Sequence, residues 1–303
     1  MPIASLPSRA PSRPLFSGPS WLALRTLVSA FQRLAAAMLL AGCMGTPKTG
    51  SPPEELTPGD PSAPSQVTPR EALEIARQLS EHPWQPFAKN ILHGKDRAGI
   101  LVNTPDAGFK EQPERPGWWL PGIVNVGIPY KWGGFDDPAS FDSAIARGLA
   151  AGDVSSPEKR RLDNASVSAQ AAGVDCSGFV SRCLKLPSVF DSRQLPSVCS
   201  PLSSVQEIHP GDLLDIPHRH VLLCAGWATP DHQSIYFYET GGAPDYWKPG
   251  LKQASLDRLL ALGYQPLRYR GMATGAQTEG KQVLTRAVRT AATIVTSPVV
   301  GEP

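Results

Sequence analysis

Charge is scarce in this chain. Only 18% of its 303 residues are Asp, Glu, Lys or Arg, and 29 basic against 27 acidic residues leave a formal net charge of +2. The basic residues form no stripe, so nucleic acid is not an expected partner. Glycine-rich loops of the phosphate-cradling kind are missing, and the five cysteines include no C-x-x-C pair. His218 and His220 lack a third ligand at metal-site spacing, so neither a metal nor a cofactor is expected. Long hydrophobic runs are missing too. The run near the N-terminus, Leu34 to Ala41, has eight residues and would span about 12 Å as a helix. That is too short for a bilayer and argues for secretion rather than a transmembrane anchor.

Proline, by contrast, is plentiful: 32 residues, biased towards the N-terminal third, with seven between Met44 and Arg70. A stretch of Pro, Ser, Thr and Gly with almost no large apolar residue cannot offset its ordering entropy by burial. Residues 44–67 are therefore expected to be a Pro-rich disordered linker, reaching roughly 80 Å when extended. Residues 1–43 read as a signal segment. Its end, Leu40-Ala41-Gly42-Cys43, resembles the processing box of bacterial lipoproteins, which implies that Cys43 is lipidated and becomes the first mature residue. No acidic residue follows at Met44, which in a Gram-negative host implies the outer membrane. Thr68-Pro69-Arg70-Glu71 supplies an N-cap, a proline in the first turn and a glutamate at the third position, the opening of a helix. One compact domain over 68–271 follows, long enough for a sizeable core, and 272–303 reads as a tail.

The chemistry-bearing stretch is Gly173-Val174-Asp175-Cys176-Ser177-Gly178-Phe179-Val180. Apolar side chains at Phe179, Val180, Cys183 and Leu184 recur at the spacing of one helical face counted from Cys176, and Pro187 ends the run. A thiol at a helix N-terminus meets unpaired N–H groups and the positive end of the helix dipole, both of which favour the thiolate nucleophile. Downstream, Val221 to Trp227 is short and apolar enough for a strand buried on both faces. Ile235 to Glu239 is rich in β-formers and aromatics. Two antiparallel strands would set His220 beside Glu239. That is a nucleophile, a base and a group orienting the base. Strand alternation alone does not separate His218 from His220 as the base; His220 is favoured because it abuts the apolar run. Glu239 shares parity with Ile235 and Phe237 and is expected to point to the buried side, where an unpaired carboxylate is costly.

Ile128-Pro129-Tyr130-Lys131-Trp132-Gly133-Gly134, then Asp175-Cys176-Ser177-Gly178-Phe179, then Pro210-Gly211-Asp212-Leu213 and His220-Val221 together resemble the ordered signature of NlpC-type cell-wall peptidases, in the papain-like superfamily. The resemblance covers residues 120–270 or so. It implies an α+β, papain-like fold with the nucleophile-bearing helix packed on a small antiparallel sheet, and a thiol hydrolase acting on peptidoglycan stem peptides. Cys176 would be the nucleophile, His220 the base, and Tyr130 a contributor near the oxyanion region. The third polar position of the family, usually His, Asn or Gln, falls on Glu239. A segment of about 40 residues, 135–173, separates the two halves of the signature where the family has a handful. It contains two short helical patterns, expected at the mouth of the site as either a lid or a solvated excursion.

A monomer is expected. A disulfide between Cys183 and Cys199 is one option for the remaining thiols; unbridged buried thiols, with Cys224, are the other. Two rival functions stay open: a cell-wall-binding lipoprotein that keeps the fold without turnover, and a thiol hydrolase acting on another amide or on a thioester.

Overall fold

The computed structural model describes residues 66–273, and the readings of Cys43, of the signal segment and of most of the linker and tail lie outside them. The described chain is α+β. Its five helices are α1 (Pro69–Glu81), α2 (Pro138–Arg147), α3 (Pro157–Leu162), α4 (Cys176–Cys183) and α5 (Leu256–Ala261). The main sheet has six strands: β1 (Cys199–Pro201), β2 (Leu213–Ile216), β3 (His220–Trp227), β4 (Ser234–Glu239), β5 (Gly250–Ser255) and β6 (Gln265–Tyr269). Their order is β5-β4-β3-β2-β6-β1, and every neighbouring pair is antiparallel. Three two-stranded pieces of two or three residues per strand complete the list.

Local chemistry explains where the elements begin. At α1 the Thr68 hydroxyl accepts from Glu71 N (3.2 Å) while the Glu71 carboxylate accepts from Thr68 N (2.8 Å), the reciprocal cap expected from the sequence. At α4 the cap is Asp175, whose Oδ1 accepts from Gly178 N at 2.7 Å. Phe179, Val180, Cys183 and Leu184 are all fully buried, as their spacing requires. They share the principal core with Leu73, Ala76 and Leu79 of α1 and with Leu213, Val221, Leu223 and Tyr238 of the sheet. The opposite face of the sheet is covered by α5, through Leu256 and Leu259 against Leu214, Leu222, Ile235 and Phe237. This two-sided cover accounts for the unbroken burial of β3 from Val221 to Gly226.

The folded unit extends slightly beyond 68–271 at both ends. Val67 is 1% exposed, bridges Met272, and donates its N–H to Gly271 O at 3.0 Å. Segment 135–173 is not the solvated excursion that was one of the two expectations. Phe141, Ala144 and Ile145 of α2, together with Ala151 and Ala172, belong to the principal core. Lys159 of α3 is buried in an ion pair with Asp153 at 2.7 Å. The segment forms a wall of the domain through the apolar stripe of α2, while α3 buries only Lys159. All four described cysteines are free thiols, so the Cys183–Cys199 bridge is not formed.

One contact fixes where α4 meets the Tyr130–Gly134 loop. A Cβ placed on Gly178 would lie 1.8 Å from the Gly134 carbonyl oxygen, and one placed on Gly134 would lie 2.4 Å from Gly173 O. Only glycine tolerates so close a backbone approach. Gly178→Ala should therefore force the loop off the helix and destabilise by about 1–3 kcal/mol or more, about 2–4 °C in Tm per kcal/mol for a domain of this size. Gly94→Ala is the control, since a Cβ there meets nothing within 4 Å. Equal Tm values for the two variants would contradict this account.

Candidate active site

Cys176 is the first residue of α4 and is partly buried at the margin of the principal core. The loop beside it is held by the other oxygen of Asp175: Oδ2 accepts from Gly133 N at 2.9 Å, while Oδ1 also accepts from the Ser177 hydroxyl at 2.9 Å. Burial pushes the Asp175 carboxyl up, and these three donors pull it back towards the charged form. One carboxylate thus ties the helix carrying the thiol to the loop carrying Tyr130. Sequence reading had placed Asp175 in the motif without giving it a task. Its signal was an Asp immediately before a helical stripe.

His220 opens β3, and this residue rather than His218 is the one brought to Glu239. His218 occupies the tight turn between β2 and β3, with φ at 65°, and Arg219 N closes that turn on Ile216 O at 2.9 Å. Proline at 217 presets the turn's first central position and leaves His218 in the left-handed one. The His220 ring is 20% exposed, and its Nε2 lies 2.9 Å from Glu239 Oε2. Nδ1 is left without a carboxylate partner, and Cys176 stands close enough for its charge to act on the ring. Burial pulls the pKa of His220 down, but the Cys176 thiolate and then Glu239 outweigh it and raise the ring from 6.5 to about 10.

Glu239 ends β4 on the face shared with Ile235 and Phe237, as its parity required, and is 2% exposed. Burial raises its pKa, but the bond from His220 and the Lys252 ammonium more than compensate and hold it below the ordinary carboxylate value. Its Oε2 also accepts from Gly242 N at 2.9 Å, and Lys252 of β5 donates to Oε1 and to Gly242 O. Lys252 has no local sequence signal. It arrives through the β4–β5 register, which pairs it with Phe237 and so brings it to the same face two residues from Glu239.

Tyr130 is 5% exposed and packs its ring on Trp247 at 5.4 Å. Burial, then the negative charges of Asp175 and Cys176, push its phenol well above the ordinary value, so it stays a neutral hydroxyl. A Cβ on Gly241 would stand 3.2 Å from the Tyr130 ring and 3.7 Å from His220 Cε1, so both rings approach that glycine. All four residues singled out from the sequence are therefore brought together. Two further residues stand near. Tyr264 packs edge-on to His220 at 6.4 Å. Asp215 is fully buried one strand away, accepts no hydrogen bond among the described residues, and is pushed up to about 7 by burial, with His220 pulling the other way. Among the described residues no group of three potential ligands could hold a metal.

The arrangement sets a thiol at a helix start beside an imidazole that is oriented by a buried carboxylate. Comparison with protein families, with curated proteins and with solved structures finds no match to this chain.

The raised pKa of His220 has a sign that can be checked. Its protonated ring contributes stability fully below about pH 6.5, and the contribution is lost as pH rises through about 10. In Cys176→Ala the His220 midpoint, read from its imidazole proton shifts by NMR, should fall towards 6.5, the ordinary value. In Glu239→Gln it should fall by less, because Cys176 is the larger of the two influences. A midpoint unmoved in both variants would remove the ion pair from the site.

Proposed function

We propose that this chain is a secreted, lipid-anchored cysteine peptidase of papain-like, NlpC type that hydrolyses amide bonds in peptidoglycan stem peptides. The observation that carries the reading is the convergence of Cys176 at the start of α4 with His220, whose Nε2 is held by Glu239 at 2.9 Å. Cys176 thiolate attacks the amide carbonyl carbon, and backbone N–H groups at the start of α4, with the neutral Tyr130 hydroxyl nearby, stabilise the oxyanion. His220 passes its proton to the leaving amine as the C–N bond breaks, leaving an acyl-thioester on Cys176. Water, deprotonated by His220, then releases the carboxylic acid and returns the thiol. Glu239 does not exchange a proton; it fixes the ring and stabilises the imidazolium. The motif resemblance selects the cell-wall substrate, since the geometry alone suits any accessible amide.

Digestion of purified cell wall by the full chain, followed by mass spectrometry of the released fragments, tests the proposal. New amine and carboxyl termini within stem peptides are expected, and none with Cys176→Ala or His220→Ala, both of which should keep Tm within a few degrees. Glu239→Gln should cost one to several orders of magnitude in rate, each tenfold being about 1.4 kcal/mol. Turnover undiminished in Cys176→Ala would end the thiol mechanism. An undigested wall, with rapid alkylation of Cys176, would move the substrate to another amide or a thioester.

Anchoring is tested separately. Cys43→Ser should shift the protein from the membrane fraction to soluble material. Unchanged membrane association would argue against lipidation at Cys43.

A further inference from the structure

The stretch from Trp118 to Tyr130 contains no charged residue. Within it, Leu120, Ile123, Val124 and Val126 are 48% to 63% exposed, and Phe87 beside them is 53% exposed. Nine large apolar side chains are exposed among the described residues, and five of them gather on this loop and the segment beside it. Their exposure is built in rather than left over. Asn125, the loop's single polar side chain, is turned inward at 8% exposure. It accepts from Leu120 N at 3.1 Å and donates to Leu120 O (2.9 Å) and Ile123 O (3.0 Å). Gly122 is strapped to the neighbouring segment by its N–H to Pro86 O and by Gln85 to its carbonyl, both at 2.8 Å. Pro83 pairs with Val126 alongside. The loop is thus a rigid mount whose outward surface offers hydrocarbon and no hydrogen-bonding side chain.

We infer that this loop docks the domain onto the surface of a lipid bilayer, with its apolar side chains entering the acyl–headgroup boundary. Saccharide or polar peptide would leave the patch unmatched, whereas hydrocarbon fits it. Two ammonium groups flank it at headgroup level. Lys89 stands 5.6 Å over the Phe87 ring and Lys248 stands 5.0 Å over the Trp118 ring, where lipid phosphates would find partners. The bilayer is within reach on the reading of Cys43 as the anchor: residues 44–67 span roughly 80 Å when extended. The inference draws on that anchor only for proximity, and not on turnover at Cys176. Trp118 also donates its indole N–H to Trp247 O, the same carbonyl that accepts from Tyr130 N, so a docked loop would hold the active-site floor at a set attitude to the membrane.

The test uses the full chain carrying Cys43→Ser and vesicles of equal parts phosphatidylethanolamine and phosphatidylglycerol. Amide hydrogen exchange of residues 120–126 should slow several-fold when vesicles are added, while exchange in α4 stays unchanged. Adding Ile123→Asp and Val124→Asp should abolish the slowing. These are surface positions outside the catalytic machinery, so turnover should persist. Exchange at 120–126 indifferent to vesicles would overturn the inference. Slowing that grows with protein concentration in the absence of lipid would overturn it too, and would assign the patch to a second copy of this chain. Because exchange reports on the loop and not on turnover, either result leaves the catalytic proposal standing or falling on its own.

Discussion

The first turn of a helix leaves backbone N–H groups without partners, and α4 begins where much of the surrounding protein excludes water. Asp175 resolves the difficulty and in doing so organises the site. Its two oxygens accept from Gly178 N, the Ser177 hydroxyl and Gly133 N, so a single buried carboxylate caps the helix and clamps the loop that leads to Tyr130. The backbones are then so close that Gly134 and Gly178 have no room for a side chain. The position of Cys176 relative to Tyr130 follows from these contacts between main chains. The wall formed by segment 135–173 leaves and rejoins the fold here as well, with Phe135 bridging Val174 and Gly173 N donating to Asp136.

Much of this was legible in the sequence wherever the cause was local. The Thr68–Glu71 cap, the buried stripe of α4 and the strands from His220 and to Glu239 each depend on spacing within a few residues, and each is present in the structure. Glu239 was assigned to the buried side by parity alone, and it is there. What was not legible depends on contacts between distant segments. Lys252 reaches Glu239 only through strand register. The indole of Trp118 meets Trp247 O across 129 positions. Segment 135–173 looked peripheral because it interrupts a motif, yet Phe141, Ala144 and Ile145 of α2 lie in the principal core. His218 and His220 could not be separated by alternation because alternation ends at β2; the proline-led turn takes His218 out of the strand.

Glutamate at the third position makes different demands from a neutral amide. A neutral group can orient an imidazole by one hydrogen bond and needs no further support. A carboxylate that is 2% exposed must be compensated in both protonation states of its histidine partner. Lys252 provides this compensation at Oε1, the oxygen away from His220, and Gly242 N adds a donor to Oε2. The orienting group and its cation therefore form one unit, and Glu239 is stable there only because β5 lies at its side.

Taken in order, His220, Glu239 and Lys252 form a row in which one buried carboxylate lies between a protonated ring and a lysine. Such a row depends on its middle member. Removing that one negative charge would leave two cationic groups facing each other at short range, in surroundings that screen them poorly. A single strand-end glutamate is therefore felt on both sides at once.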